Sequence, residues 1–254
     1  MSKPRIIYDN VWRTGTILSA NSENPQFPAT DTQADTPSLF WRSANNSNAN
    51  ESITIDLLTA KNVDFVAFLN HNLGENAVIK WRACEDANFS SNVTERTITH
   101  SPTNIYHFFG ANNSTANRYG QISIADNNAS TSYFQIGAIV AGSYWELSRE
   151  IMRQFTMGKI DVSEIEPSQS LVEYGQPRPR RRVWSLPFIG LSDTDSDTIV
   201  SFFDTVGVTY GFILCFDANS ASSQSYFVRN LDLQEPQYNF YNSWDWTLRV
   251  VEKL

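Results

Sequence analysis

The sequence predicts a mainly β protein of two units, a β-sandwich followed by a small β-barrel-like unit carrying one packed α-helix. Three features lead there. Phe, Tyr and Trp make up 13% of the 254 residues, and many sit in short alternating runs that suit half-buried strands. Asn- and Ser-rich stretches of turn character separate those runs. A clear helical period occurs once, in the last third of the chain.

The first unit is expected over residues 1–150, with its core at about 17–147. Ser52 to Leu57 alternates, placing Ile53, Ile55 and Leu57 on one face. Val63 to Leu69 is almost continuously apolar, as a strand buried on both faces requires. Strands follow at Val78–Cys84, Ile105–Phe109, Tyr119–Ala125 and Tyr133–Val140, with loops at Ser43–Asn50 and Ala111–Asn117. Ser148 to Gln176 has apolar residues without a clean period. It reads as a returning connection, then extended chain around Ile160 and Val162, and it contains the boundary between the units.

The second unit is expected over 151–254. Arg180 to Phe188 alternates, with Arg182, Trp184, Leu186 and Phe188 on one side. Ser192 and a run of acidic residues then precede Ile199, Val200, Phe202, Phe203 and Val206, with Gly207 beyond them. That order predicts a capped helix over about 193–206. Strands are expected at Tyr210–Phe216, Tyr226–Leu231 and Asn239–Val251, the last with Trp244, Trp246, Leu248 and Val250 on one face.

Composition narrows the function classes. Apolar residues reach 41% against 18% charged, so a large core can form. The net charge of −8 disfavours a surface that tracks nucleic-acid phosphates. Arg178, Arg180, Arg181 and Arg182 run directly into Val183 and Trp184, and read as one basic strand face. Cys84 and Cys215 lie far apart without metal-type spacing, so two buried free thiols are expected. The first residues lack the apolar stretch of a secretory signal, and no segment has the length of a membrane span. A cytoplasmic site of synthesis is therefore expected. The sequons at Asn45, Asn50, Asn92, Asn112 and Asn128 then mark surface loops rather than glycans.

An ordered set of motifs in the first unit resembles the discoidin family, the galactose-binding-like sandwich. It comprises Asn24-Pro25, Pro28-Ala29-Thr30, Asp35 and Phe40-Trp41-Arg42-Ser43, then Ile53-Thr54-Ile55-Asp56-Leu57. Asn70-His71-Asn72-Leu73-Gly74 with Ala77–Trp81, Arg118-Tyr119 to Ile124, and Phe134-Gln135-Ile136-Gly137 complete it. The likeness spans roughly half of the chain and implies a jelly-roll sandwich with loops at one end that bind sugars, lipid headgroups or proteins. The cysteine pair that ties the termini of many extracellular members is missing.

Arg182-Val183-Trp184-Ser185-Leu186-Pro187-Phe188, the capped helix with Phe202-Phe203, Gly207, Val228-Arg229 and the closing Trp244–Glu252 strand resemble the phage distal-tail and baseplate-hub class. The resemblance implies a virion structural protein, assembled in the host cytoplasm into a homo-oligomeric ring, a hexamer or trimer. Its expected partners are the tail-tube and tip or hub proteins, with host surface glycan as the alternative. Arg180, Arg182, Trp184, Trp244 and Trp246 are the candidate ring-interface or core anchors.

If the first resemblance holds, Trp41, Arg42, His71 and Asn72 lie near the sandwich loops and are the candidate glycan-binding residues. A Trp at this place also serves as a plug for the bottom of the sandwich. His71, His100 and His107 show no metal-binding spacing, and His71 in a turn suits a hydrogen-bonding loop role. Asp193, Asp195, Asp197 and Asp204 partly match a calcium loop, but Thr198 stands where that loop needs glycine, and helix capping explains the pattern. Glu85 with Asp86, and Glu164 with Glu166, read as ordinary surface carboxylates. No nucleophile elbow, phosphate loop or dinucleotide fingerprint occurs, so no catalysis and no cofactor are expected.

Overall fold

Hydrogen bonding sorts the described strands of the computed structural model into five sheets, the two largest lying in different lobes, and the chain is mainly β. The structure describes residues 3–44, 51–110, 115–126, 133–152, 154–167, 173–239 and 243–253. The sequons at Asn45, Asn50, Asn112 and Asn128 lie outside the described residues; Asn92 is exposed.

In the first lobe a five-stranded antiparallel sheet has the order Thr16–Ala20, Glu51–Lys61, Asn117–Ala125, Val78–Cys84, Thr94–Ile98. A three-stranded sheet of Ile139–Gly142, Phe65–Phe68 and Ile105–Phe108 packs with it into a sandwich. The alternation in Ser52–Leu57 explains the core: Ile53 and Ile55 are fully buried and join Ile79, Trp81, Ile122 and Ile124 from neighbouring strands. The Tyr133–Val140 run divides into two short strands, Gln135–Ile136 and Ile139–Gly142. Between them, a Cβ on Gly137 would stand 2.5 Å from the Pro37 carbonyl oxygen. The backbones meet there as only glycine permits.

The expected division at residue 150 is crossed at both ends by the second lobe's sheet. Arg5–Ile7 pairs with Phe212–Cys215 on one side and Trp145–Glu146 on the other. Sequence periodicity does not reveal this, because a three-residue strand is too short to show a period. The full order is Trp145–Glu146, Arg5–Ile7, Phe212–Cys215, Ser225–Asn230, Ser243–Glu252, Arg181–Leu191, Thr156–Ile160, with Gln237–Asn239 also on Ser243–Glu252. Where a barrel-like unit was expected, the described pairings form an open path whose first and last strands are not partners.

One helix, Asp193–Val206, buries Ile199, Phe202 and Val206 against this sheet. Its start is a full capping box: the Ser192 hydroxyl accepts from the Asp195 N–H, and the Asp195 carboxylate accepts from the Ser192 N–H. Its end is set by Gly207 at φ 55°, a conformation that side chains disfavour.

The two lobes share a core. Val66 and Phe68 face the sandwich interior, whereas Phe65, Ala67 and Leu69 pack with Ile7, Ile213 and Phe227 of the second sheet. Both faces of this strand are thus buried, which is why Phe65–Leu69 reads as unbroken apolar sequence. Cys84 and Cys215 are both free and buried.

Candidate functional site

Three places bring polar or exposed apolar groups together, and the sequence-predicted residues are distributed among them.

The first is the end of the sandwich where Trp41–Arg42 pairs with Gln135–Ile136. Trp41 is fully buried among the sandwich core residues, so its ring has no free face for a sugar and acts as the plug. Its neighbour points elsewhere. The Arg42 guanidinium carbon lies 4.4 Å from the centroid of the Phe27 ring, 4.6 Å from Phe40 and 4.5 Å from Tyr133. Such contacts stabilise a cation through the ring quadrupole. Phe27 and Phe40 are themselves stacked at 5.1 Å, and all three rings are half-buried. Arg42 Nε donates to Gln135 Oε1 at 3.1 Å. The loop from Asn24 to Phe27 is fixed on this strand, because Asn24 N–H donates to the Arg42 carbonyl and Arg42 N–H to that of Phe27.

Asn72 belongs to the same assembly in a supporting role. Its Nδ2 donates to the Tyr133 carbonyl at 3.0 Å and its Oδ1 accepts from the Gln135 N–H at 2.6 Å. It therefore holds the strand that carries Gln135, without facing Arg42 itself. His71 is different again. Asn70, at φ 56°, turns the chain so that His71 Nδ1 accepts from the Leu73 N–H at 3.2 Å. Its ring sits edge-on to His100, with centroids 5.6 Å apart. Burial, and then the neighbouring His100, push the His71 pKa down to about 4, so the ring is neutral at pH 7.

His71 lines the second place, a cleft of about 650 Å³ between the lobes. Asn70 and Asn104 enter it from the sandwich; Arg182, Tyr226, Glu252 and Lys253 come from the large sheet. Its charges are matched in pairs. Arg182 donates through Nε and Nη2 to the two Glu252 oxygens at 3.1 and 2.9 Å, and its guanidinium lies 4.7 Å from the Tyr226 centroid. Lys253 pairs with Asp35, which also accepts from the Gly211 N–H at 2.7 Å. Arg182 is thereby a structural cation rather than a free anchor.

The third place is the outer edge of the large sheet. All five residues of Thr156–Ile160 are exposed, Met157 at 68%, and Phe155 and Val162 beside them are exposed too. A hairpin, Glu164–Pro167 with Glu173–Gln176, follows directly. Arg180 lies here and pairs with Asp161 at 3.0 Å. Hydrogen bonds from Ser163, and then from Arg180, hold the Asp161 pKa at about 2.

The remaining anchors are core or half-core. Trp184 and Trp246 are each 2% exposed, and Trp244 is half-buried with its Nε1 donating to Asp193 Oδ1 at 2.8 Å. Among the described residues no group of three or more His, Cys, Asp or Glu side chains is placed to hold a metal. Asp195, the centre of the partial calcium pattern, is engaged in capping and in a bond from Trp145 Nε1. Sequence reasoning missed Phe27, Phe40 and Tyr133 as site residues: Phe40 lies beside Arg42 in the chain, while Phe27 is brought to it by the backbone bonds of the Asn24–Phe27 loop and Tyr133 by the strand that carries Gln135.

No family model matches the chain, and no curated protein matches it. Several solved structures do. Chitosan-binding module 1 of a chitosanase/glucanase from Paenibacillus sp. IK-5 is 18% identical with a TM-score of 0.42, covering 53% of this chain and 98% of its own. A CBM32 module from a family 31 glycoside hydrolase of Clostridium perfringens is 18% identical with a TM-score of 0.41, covering 54% and 93%. The family 32 carbohydrate-binding module of C. perfringens NanJ, solved with galactose, is 19% identical with a TM-score of 0.41, covering 56% of this chain and 99% of that one.

Proposed function

We propose that this chain is a structural assembly subunit that joins copies of itself through the open edge of its large sheet. The observation that carries the reading is the Thr156–Ile160 strand. It pairs on one side with Arg181–Leu191 and, among the described residues, with nothing on the other. An edge strand offers unpaired N–H and C=O groups, and proteins that stay apart protect such edges with charge. One edge of the five-stranded sandwich sheet does so: Thr94–Ile98 carries Glu95 and Arg96, and Glu95 pairs with Lys80 and Arg82. Thr156–Ile160 instead presents Met157 and Ile160, with Lys159 its single charge. Exposed apolar surface on an unpaired edge is what an interface by strand addition uses.

The setting that the sequence resemblance implies is a tailed-phage tail tip, with the subunit in the virion between tail tube and hub. A closed ring needs a heterologous contact, so the edge must meet a different surface of the next copy. Native mass spectrometry of the wild type beside a Met157→Asp, Ile160→Asp double variant tests the reading. The wild type is expected as a ring-sized oligomer and the variant as a monomer with unchanged secondary structure. A wild type that stays monomeric at its highest soluble concentration, alone and with tail-tube protein, refutes it.

A second reading, glycan recognition by the sandwich, draws support from one observation: the half-buried rings of Phe27, Phe40 and Tyr133 around Arg42. Aromatic faces beside a polar donor are the elements of a sugar site. The two readings are compatible in one chain, since edge and sandwich end belong to different lobes.

A further inference from the structure

The environment of Arg42 points to the chemical class of a ligand at the sandwich end. We infer that it takes a carboxylate-bearing saccharide, an inference that rests on the glycan reading above.

Among the described residues, six arginines meet a carboxylate. Arg5 pairs with Glu146, Arg82 with Glu95, Arg118 with Asp56, Arg180 with Asp161, Arg182 with Glu252 and Arg249 with Asp232. Arg42 is enclosed by three rings instead, and of its side-chain N–H groups only Nε–H is given to an acceptor among the described residues, Gln135 Oε1. A guanidinium carries five N–H donors in a rigid fork. Its outer nitrogens are therefore available to an incoming ligand, and their geometry fits both oxygens of a carboxylate.

The surroundings select among anions. A phosphate or sulfate site gathers several cations or backbone N–H groups, whereas Arg42 is one cation, matched by one negative charge. The rings of Phe27, Phe40 and Tyr133 are half-buried around the cation, and their exposed parts offer apolar surface suited to the C–H groups of a pyranose. Rigidity favours recognition as well. Asn72 holds Tyr133 and Gln135, and Gln135 holds Arg42, so the cation is oriented before a ligand arrives. Trp41 behind it fixes the strand from the core side.

The test uses the full chain on an array of uronic- and sialic-acid glycans, their methyl esters, the neutral parent sugars and acidic peptides. Esterification removes the charge and keeps the ring. The inference expects binding to the acids, at least about ten-fold weaker binding to the esters, and a comparable loss in Arg42→Gln. Arg42→Lys keeps a cation among the rings but loses the fork, so it should retain the wild-type melting temperature and bind more weakly than wild type. This variant keeps the test decisive if Arg42→Gln folds poorly. Acids and esters bound equally, or acid binding indifferent to both Arg42 variants, would overturn the inference while the glycan reading stood. Binding to acidic peptides alone, or to nothing on the array, would overturn both.

Discussion

Trp246→Ala is the sharpest probe of how the second lobe is held together. Trp246 is 2% exposed at the middle of an aromatic group. Phe188 stacks on it at 5.7 Å, Trp145 lies at 6.2 Å, and Phe202 and Phe203 of the helix meet it edge-on at 6.3 and 6.2 Å. Its Nε1 donates to the Gln234 carbonyl at 2.9 Å. Truncating a buried Trp costs about 3–5 kcal/mol, and rings on four sides leave the cavity little room to collapse. Trp244, two residues earlier on the same strand, is the internal control. It is half-buried, touches Tyr238 at 5.1 Å and bonds Asp193, so its loss should cost about 1 kcal/mol. Urea unfolding at constant m-value measures both. In a chain of this length about 4 kcal/mol corresponds to roughly 8–16 °C in Tm. Because the lobes share the cluster of Ile7, Phe65, Ala67, Ile213 and Phe227, sandwich and sheet should unfold in one transition. Trp246→Ala within 1 kcal/mol of Trp244→Ala, or a sandwich that unfolds separately, would refute the reasoning.

Three further outcomes follow from local geometry. A Cβ at Gly120 would stand 2.5 Å from Trp81 Cη2, and Trp81 is 1% exposed, so Gly120→Ala should lower stability by about 2 kcal/mol in the same urea assay. Ser192→Ala removes half of the capping box and should cost about 1 kcal/mol, with Ser192→Thr or Ser192→Asp recovering most of it. His71, with its pKa pushed down to about 4 by burial and His100, binds its proton more weakly folded than unfolded. Stability should therefore fall as pH drops from about 6.5 to 4, and an urea series over that window should be flatter for His71→Gln.

Much of the fold was legible because strand period and helix caps are local signals. Val78–Cys84 is found at the predicted bounds, and Asp193–Val206 begins and ends on Ser192 and Gly207 as its sequence requires. The losses have physical causes. Arg5–Ile7 and Trp145–Glu146 are too short to carry a period, and their place in the second sheet is a long-range pairing that no local pattern encodes. Thr94–Ile98 and Thr156–Ile160 are edge strands, where weak burial erases the alternation that marks a strand. At the sandwich end, Arg42 and Asn72 were placed near one another, but of the rings that complete the cluster only Phe40 is local to Arg42, and Phe27 and Tyr133 come from distant residues. Trp41 was legible only as a choice between plug and platform, and burial decides it.

The apolar run at Phe65–Leu69 has a consequence beyond the core. A strand buried on one face would leave the sandwich free to swing on its connections. Here Val66 and Phe68 belong to the sandwich interior while Phe65, Ala67 and Leu69 belong to the contact with the second sheet, so alternate residues of one strand fasten both lobes. Asp35 adds a polar fastening, reached from the second lobe by Lys253 and by the Gly211 N–H. Slippage between the lobes would expose those apolar side chains at about 25 cal/mol for each Å² uncovered, a cost that no flexible linker imposes. Edge and sandwich end are therefore held at one mutual angle. Copies joined through Thr156–Ile160 would present their Arg42 clusters at a fixed spacing, and several such sites would engage a surface of repeated ligands together, with an avidity beyond that of any one site.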